Sequence, residues 1–149
     1  MSFLSSFDIS ASGMTAERQR LDIASENIAN SNTTRTASGE GPYRRKMVVL
    51  QEVPSTTTSF RSRFNSLLNR TASKGGVRVT EIVEDQRDLQ PVYNPDHPDA
   101  NEEGYVMMPN VDLVKETVDG MSATRSYEAN ITAFNAMKLM AQRAIDIGK

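Results

Sequence analysis

Two helical repeats stand at opposite ends of this chain, and each leaves an apolar seam of the same kind. Near the N-terminus Phe7, Met14, Leu21 and Ile28 recur every seven residues, with Leu4 and Ala11 offset by three or four. Near the C-terminus Tyr127, Ile131, Phe134, Lys138, Ala141 and Ile145 step alternately by four and three. Residues so spaced share one stripe of a helix, and such stripes let two helices pack along their length. More than eighty residues separate the two segments. The pattern predicts a mainly α chain with a small β insertion, in which long N- and C-terminal helices pack as a coiled coil and flank a small β-rich domain. Residues 1–34 and 109–149 are expected to form the helical part, and 35–108 the insertion.

The first helix is expected from Phe3 to about Asn30, since the stretch has no proline and no glycine after Gly13. At ~1.5 Å per residue it is about 40 Å long. Arg18 and Ser25 interrupt its seam, and polar seam positions weaken a coiled coil while fixing its register. The run Asn30-Ser31-Asn32-Thr33-Thr34 ends it, because these side chains compete for backbone hydrogen bonds. The second helix is expected from Val111 to about Ile147, with Asn110 as its N-cap. Val111, Val114, Val118 and Met121 make its first apolar stripe. The stripe changes phase by Tyr127, and Gly120 is placed to permit a bend between the two registers.

Inside the insertion, Tyr43–Val53 and Val77–Val83 alternate as strands do. Leu89–Tyr93 reads as a short edge strand, since Pro91 cannot donate to a ladder. Two or three such strands are marginal alone and need the helices, or a partner, to cover them. Residues 54–76 read as a mobile loop in which Phe60, Phe64, Leu67 and Leu68 fall at helical spacing. That loop either folds onto its own domain or docks in an assembly.

The charges are segregated. Residues 35–80 carry nine basic and two acidic groups, a net +7, whereas 81–119 carry two basic and eleven acidic groups, a net −9. Two solvated surfaces of one fold explain this. So does a basic face, with Arg44, Arg45 and Lys46, meeting an acidic face, with Glu81, Glu84 and Asp85, between neighbouring subunits.

Reactive chemistry is sparse. The chain has no cysteine, which removes disulfides, Cys-ligated zinc and thiol catalysis. Its single histidine, His97, lies in the turn Asn94-Pro95-Asp96-His97-Pro98-Asp99, where solvation explains it better than a metal or general-base role. No phosphate-cradling glycine motif and no nucleophile elbow occur. The run Glu81, Glu84, Asp85, Asp88 lacks the spacing of a calcium loop. No catalytic, metal or cofactor site is therefore expected. A sequence pI near 5.5 argues against nucleic acid as a partner despite Arg44-Arg45-Lys46. No stretch approaches the ~20 apolar residues of a membrane span, and the N-terminus has neither the basic start nor the apolar run of a cleaved signal peptide.

The segments reproduce a known pattern. Ser5-Ser6-Phe7-Asp8-Ile9-Ser10-Ala11-Ser12-Gly13-Met14-Thr15-Ala16, followed by Glu26-Asn27-Ile28-Ala29-Asn30-Ser31-Asn32-Thr33, resembles the N-terminal signature of bacterial flagellar rod and hook axial proteins. Asn27, Ile28, Ala29, Asn30, Asn32 and Thr33 are its family motif. The resemblance continues in order through Gly41-Pro42-Tyr43-Arg44-Arg45-Lys46, Gly75-Gly76-Val77-Arg78-Val79, Tyr93-Asn94-Pro95-Asp96-His97-Pro98-Asp99-Ala100, Glu103-Gly104-Tyr105-Val106, Pro109-Asn110-Val111 and Ser126-Tyr127-Glu128-Ala129-Asn130. Ser55 to Lys74 matches least. Hook and distal-rod relatives typically read Asn-Thr-x-Gly-Tyr after the first helix, where this chain has Asn32-Thr33-Thr34-Arg35-Thr36, so the resemblance is to the proximal rod group.

The resemblance implies a non-catalytic structural subunit of the flagellar basal body. It implies export from the cytoplasm through the flagellar type III apparatus without signal cleavage. It further implies polymerisation in the periplasm, with other rod proteins and copies of itself, into a helical tube around the export channel. The seam residues are then the expected assembly interface. The alternative is a soluble helical binding module or secretion adaptor, with its helices closed on each other.

Overall fold

A computed structural model describes residues 3–36, 41–53 and 75–147. The element order is α1 (Phe3–Ala29), β1 (Lys46–Glu52), β2 (Val77–Glu84), β3 (Gln90–Tyr93), β4 (Tyr105–Met108) and α2 (Leu113–Ile147). Two long helices thus flank a small β region of two two-stranded sheets, β1 with β2 and β3 with β4. Leu4 lies in α1, but its side chain is outside the described residues, as is the loop expected at 54–76 except for its last two positions.

The chain divides into two compact units, residues 1–19, 50–80 and 123–149 in one and 20–49 and 81–122 in the other. In the first unit the helices run antiparallel. Phe7 meets Phe134 edge to face with ring centroids 4.9 Å apart, and Gly13 lies against Asn130, whose side-chain atoms would sit 3.0 Å from a Cβ at that glycine. Gly76 has a positive φ of 117°, and a Cβ there would come 2.4 Å from Ser12 Oγ. Only glycine suits that position, on both conformational and steric grounds. Ser12 Oγ in turn accepts a bond of 3.2 Å from Val77 N–H and joins α1 to the start of β2.

In the second unit Gly120 of α2 faces Leu21 and Ala24 of α1, with room for a Cβ at ordinary contact distance, 3.6 and 4.0 Å. The α-helix runs without a break through Gly120, from Leu113 to Ile147. The N-cap is different from expectation. Asp112, not Asn110, accepts bonds from Val114 N–H (3.0 Å) and Lys115 N–H (3.2 Å), so the helix starts at Leu113 and Val111 precedes it. A carboxylate satisfies the orphan donors and complements the helix dipole there, while the Asn110 amide is engaged elsewhere.

β3 and β4 pair antiparallel in the register Gln90↔Met108, Pro91↔Met107, Val92↔Val106, Tyr93↔Tyr105. β4 was not expected from the sequence, because Tyr105-Val106-Met107-Met108 is a run of four apolar residues with no apolar–polar alternation to read. Its burial alternates nonetheless, with Val106 buried and Tyr105 and Met107 exposed.

Candidate assembly site

Asn27 sits near the end of α1 with 1% of its surface exposed. Its side chain makes every bond that an amide can make. Nδ2 donates to the Lys46 carbonyl and to Glu116 Oε2, each at 2.9 Å. Oδ1 accepts from the Tyr43 hydroxyl and from Lys46 N–H, each also at 2.9 Å. Two donors and two acceptors exhaust its capacity. The amide therefore ties the end of α1 to the entry of β1 and to the first turns of α2.

Arg45 continues the cluster. Its guanidinium is buried, with Nε 2.5 Å from Glu116 Oε1, Nη2 3.4 Å from Asp119 Oδ2 and Nη1 3.9 Å from Asp85 Oδ2. The backbone of Arg45 is held as well, its N–H donating to Asn110 Oδ1 at 2.9 Å and its carbonyl accepting from Asp85 N–H at 2.8 Å. Asn110 Nδ2 then donates to the Asp85 and Arg87 carbonyls, each at 3.1 Å. Asn110 is a cross-brace between two chain segments rather than a cap. Among the described residues every buried side-chain nitrogen and oxygen has a hydrogen-bond partner, as a polar interior demands.

This environment moves two titrating groups. Burial, then the negative charges of Glu26, Glu116 and Glu84, push the Tyr43 phenol up to about 12. The Arg87 side chain, which donates to Asp85 through Nε at 2.8 Å, holds the Asp85 carboxyl down at about 2. Burial opposes that depression, and the Arg87 backbone N–H and the charges of Arg87 and Arg45 add to it. Asp99 is lowered also, chiefly by the Thr34 hydroxyl (2.8 Å) and then by Arg35, which it pairs directly. His97 Nδ1 accepts from Asp99 N–H at 3.1 Å and so acts as a turn brace.

The family-motif residues fall into one segment. Beyond Asn27, Asn30 Nδ2 bonds back to the Glu26 carbonyl at 3.0 Å, its Oδ1 accepts from the Thr33 hydroxyl at 3.1 Å, and the Thr33 carbonyl accepts from Tyr43 N–H at 3.0 Å. These bonds stop α1 and turn the chain toward β1. Ile28 is half-buried, Ala29 and Asn32 are exposed.

The seam residues are distributed differently. The buried line of α1 is small and polar, Ser10, Ala16, Ala24 and Asn27 with Ile23. Phe7, Met14 and Ile28 are half-buried, and Ala11 and Leu21 exposed. On the C-terminal side Val111 is buried, Tyr127, Phe134 and Ala141 are half-buried, and Ile131 is exposed. Val114 (74%), Val118 (55%), Met121 (52%) and Ile145 (66%) are largely open to solvent. Of the charged candidates, Arg45 and Asp85 are occupied inside the chain. Arg44 reaches the Asp85 and Arg87 carbonyls at 3.3 Å, and Lys46 pairs Glu26 at 2.5 Å and lies 5.5 Å over the Tyr43 ring. Glu81 and Glu84 are exposed. Asn27, Glu116 and Asn110 had no signal as a cluster, because each is an unremarkable polar residue until the chain returns to it.

Among the described residues no helix is long and apolar enough to cross a membrane, and no group of three or more His, Asp or Glu side chains is arranged to hold a metal ion. The second unit thus combines a buried polar brace with an exposed apolar stripe on α2. Family models give the class of protein. One described as "Flagella basal body rod protein" matches residues 7–35, and one described as "Flagellar basal body rod FlgEFG protein C-terminal" matches 102–147. The chain is 51% identical to the flagellar basal-body rod protein FlgC of Bacillus subtilis over the full length of both. It is 39% identical to FlgC of Escherichia coli O6:H1, again over the whole of each, and 40% identical to FlgC of Borreliella burgdorferi over 99% of this chain and 98% of that one. The chain belongs to the FlgC family of flagellar basal-body rod proteins.

Proposed function

We propose that this chain is a structural, non-catalytic subunit of the proximal rod, polymerising with other rod proteins and with copies of itself into a helical tube around the export channel. It passes unfolded through the flagellar type III apparatus and assembles in the periplasm. Full-length similarity to rod proteins supports the reading, and the observation that carries it is the exposed stripe Val114, Val118, Met121 at the start of α2. Helices gain most of their stability from packing an apolar face, so this stripe, with Ile131 and Ile145, is the part of the expected seam left for neighbouring subunits. Arg44, Lys46, Glu81 and Glu84 are the charged groups placed to take part in contacts between copies. The terminal helices act as the assembly layer, and residues 35–108 as the part they carry.

A reconstruction of intact basal bodies tests the proposal. The expected result is this chain in the rod next to the export gate, with the Val114–Met121 stripe buried by a neighbour. Recovery of the chain in cytosolic complexes, with none in basal bodies, would overturn it. Reversing the half-buried Arg44 and Lys46 is expected to reduce incorporation more at low salt than at high salt, because charges at a solvated contact between copies are screened within a Debye length of ~10 Å at 0.1 M.

A further inference from the structure

The β3–β4 hairpin has one face that the fold leaves open. In its register Pro91, Tyr93, Tyr105 and Met107 share that face, opposite buried Val106. All four are exposed, Tyr93 by 65%. The two tyrosines meet edge to face, centroids 5.4 Å apart. Gly104, at a φ of +81°, makes this possible, since a Cβ there would come 2.9 Å from Tyr93 Cε2. The fold thus reserves a glycine to seat an aromatic ring at the surface. Tyr, Met and Pro together form a flat, adaptable apolar platform of the kind that protein interfaces use.

The surroundings of the platform are acidic. Asp88 precedes β3, and Asp96, Glu102 and Glu103 lie in the connection between the strands, all four exposed. From Asp88 to Met108 the chain has no lysine or arginine. Arg87 just before this stretch and Arg35, paired with Asp99, are the cations nearby, so the excess of acid lies in the β3–β4 connection, at Asp96, Glu102 and Glu103. The complement is present elsewhere in the same sequence. Residues 54–74 contain Arg61, Arg63, Arg70 and Lys74, no acidic group, and Phe60, Phe64, Leu67 and Leu68 at helical spacing. An aromatic face next to an acidic connection and a basic segment with an apolar repeat match in both charge and hydrophobicity.

We infer that the Pro91–Tyr93–Tyr105–Met107 face is a docking surface for residues 54–74 of a neighbouring copy. The tyrosines and Met107 take up the phenylalanines and leucines, and Glu102 and Glu103 face the arginines. The inference rests on the rod-subunit reading, which supplies the neighbouring copy.

The absence of cysteine gives a clean test. Two differently tagged full-length copies are co-expressed, one carrying Met107→Cys and the other Asn65→Cys. Basal bodies are purified and treated with a short bismaleimide. Each copy has a single thiol, so a species bearing both tags arises only between copies. Tyr93→Cys replaces Met107→Cys if the latter lowers incorporation. The expected result is a doubly tagged product that falls several-fold when Arg61→Glu and Arg63→Glu are added, and returns when Glu102→Lys and Glu103→Lys are added on the partner. Basal bodies that contain the chain but yield no such product overturn this inference alone. So does attachment of the Met107→Cys copy to a different rod protein instead. So also does a double variant, Asn65→Cys with Met107→Cys, that links only within itself. Basal bodies without the chain overturn both this inference and the rod reading.

Discussion

The Asn27 amide and the Glu116 carboxylate, 89 residues apart in sequence, are joined by a buried hydrogen bond of 2.9 Å. Asn27 belongs to the last turns of α1 and Glu116 to the first turns of α2. One bond thus connects the two elements that begin and end the chain, and the same amide also clamps Tyr43 and Lys46. Such a brace holds only while each member is satisfied, because an orphaned buried polar group costs its full desolvation.

Asn27→Asp keeps the shape and removes both donors. It sets a carboxylate against Glu116 and leaves the Lys46 carbonyl without its partner. A loss of about 3–5 kcal/mol is expected, in the range of a broken buried polar network, read as a lower midpoint in urea unfolding. An unchanged midpoint would show that the amide is not structural.

Arg45 and Glu116 are both buried and 2.5 Å apart. Arg45→Met alone strands Glu116, and a loss of about 3–5 kcal/mol is expected. Arg45→Met with Glu116→Gln is expected to recover part of that loss, since no charge is then stranded at their contact and the amide oxygen introduced at position 116 still accepts from Asn27 Nδ2. A double-mutant cycle by denaturant titration checks it. Purely additive losses would contradict the coupling.

Asp85 has its folded pKa depressed from the ordinary 3.8 to about 2. The stability it contributes is present above the unfolded pKa and is lost as pH falls through the folded one. The chain is therefore expected to lose stability between about pH 4 and pH 2 through this group. Asp85→Asn should flatten the acid limb of a thermal-stability profile in that window, at some cost near neutral pH. An identical acid limb in the variant counts against the Asp85–Arg87 pair.

Tyr43 moves the other way, its folded pKa raised from 10.0 to about 12. Its contribution is fully present below the unfolded value and is lost as pH rises toward the folded one. Ultraviolet titration of phenolate absorbance is expected to show one tyrosine ionising late, together with alkaline unfolding. In Tyr43→Phe that late step should disappear.

Val114→Glu with Val118→Glu places charges on an exposed stripe of α2. Surface substitutions of this kind change stability by about 0.5 kcal/mol or less, so the melting temperature of the isolated chain should barely move. Incorporation into basal bodies and swimming are expected to be lost. Normal motility in this variant would remove the stripe from the assembly interface.

Much of the fold is legible in consecutive residues. Helical periodicity located α1 and α2 to within two residues at their described ends, and alternation located β1, β2 and β3. Chemistry absent from the chain, such as cysteine, was equally plain. These features are local, because a helix or strand records its period in its own side chains. Which face each helix buries was legible only in part, since Phe7 and Phe134, both marked by the heptads, do meet. Apolar heptads marked Phe7, Met14, Leu21 and Ile28, whereas the structure buries Ser10, Ala16, Ala24 and Asn27, since small residues let the backbones approach and Asn27 finds four partners there.

The polar residues divide in the same way. Asn110 and Asp112 are both good caps by type, and only the return of residues 45, 85 and 87 to this place claims Asn110 as a brace and leaves Asp112 to start the helix. Arg45, read from sequence as one of three exposed cations, is enclosed by Glu116, Asp119 and Asp85. Sequence by itself determined the family and every element except β4, in their order, because propensity, periodicity and motif spacing act over a few residues. Only the tertiary structure decided which polar groups are partners, because a hydrogen bond across 89 residues exists once the chain has closed and has no trace in either segment alone.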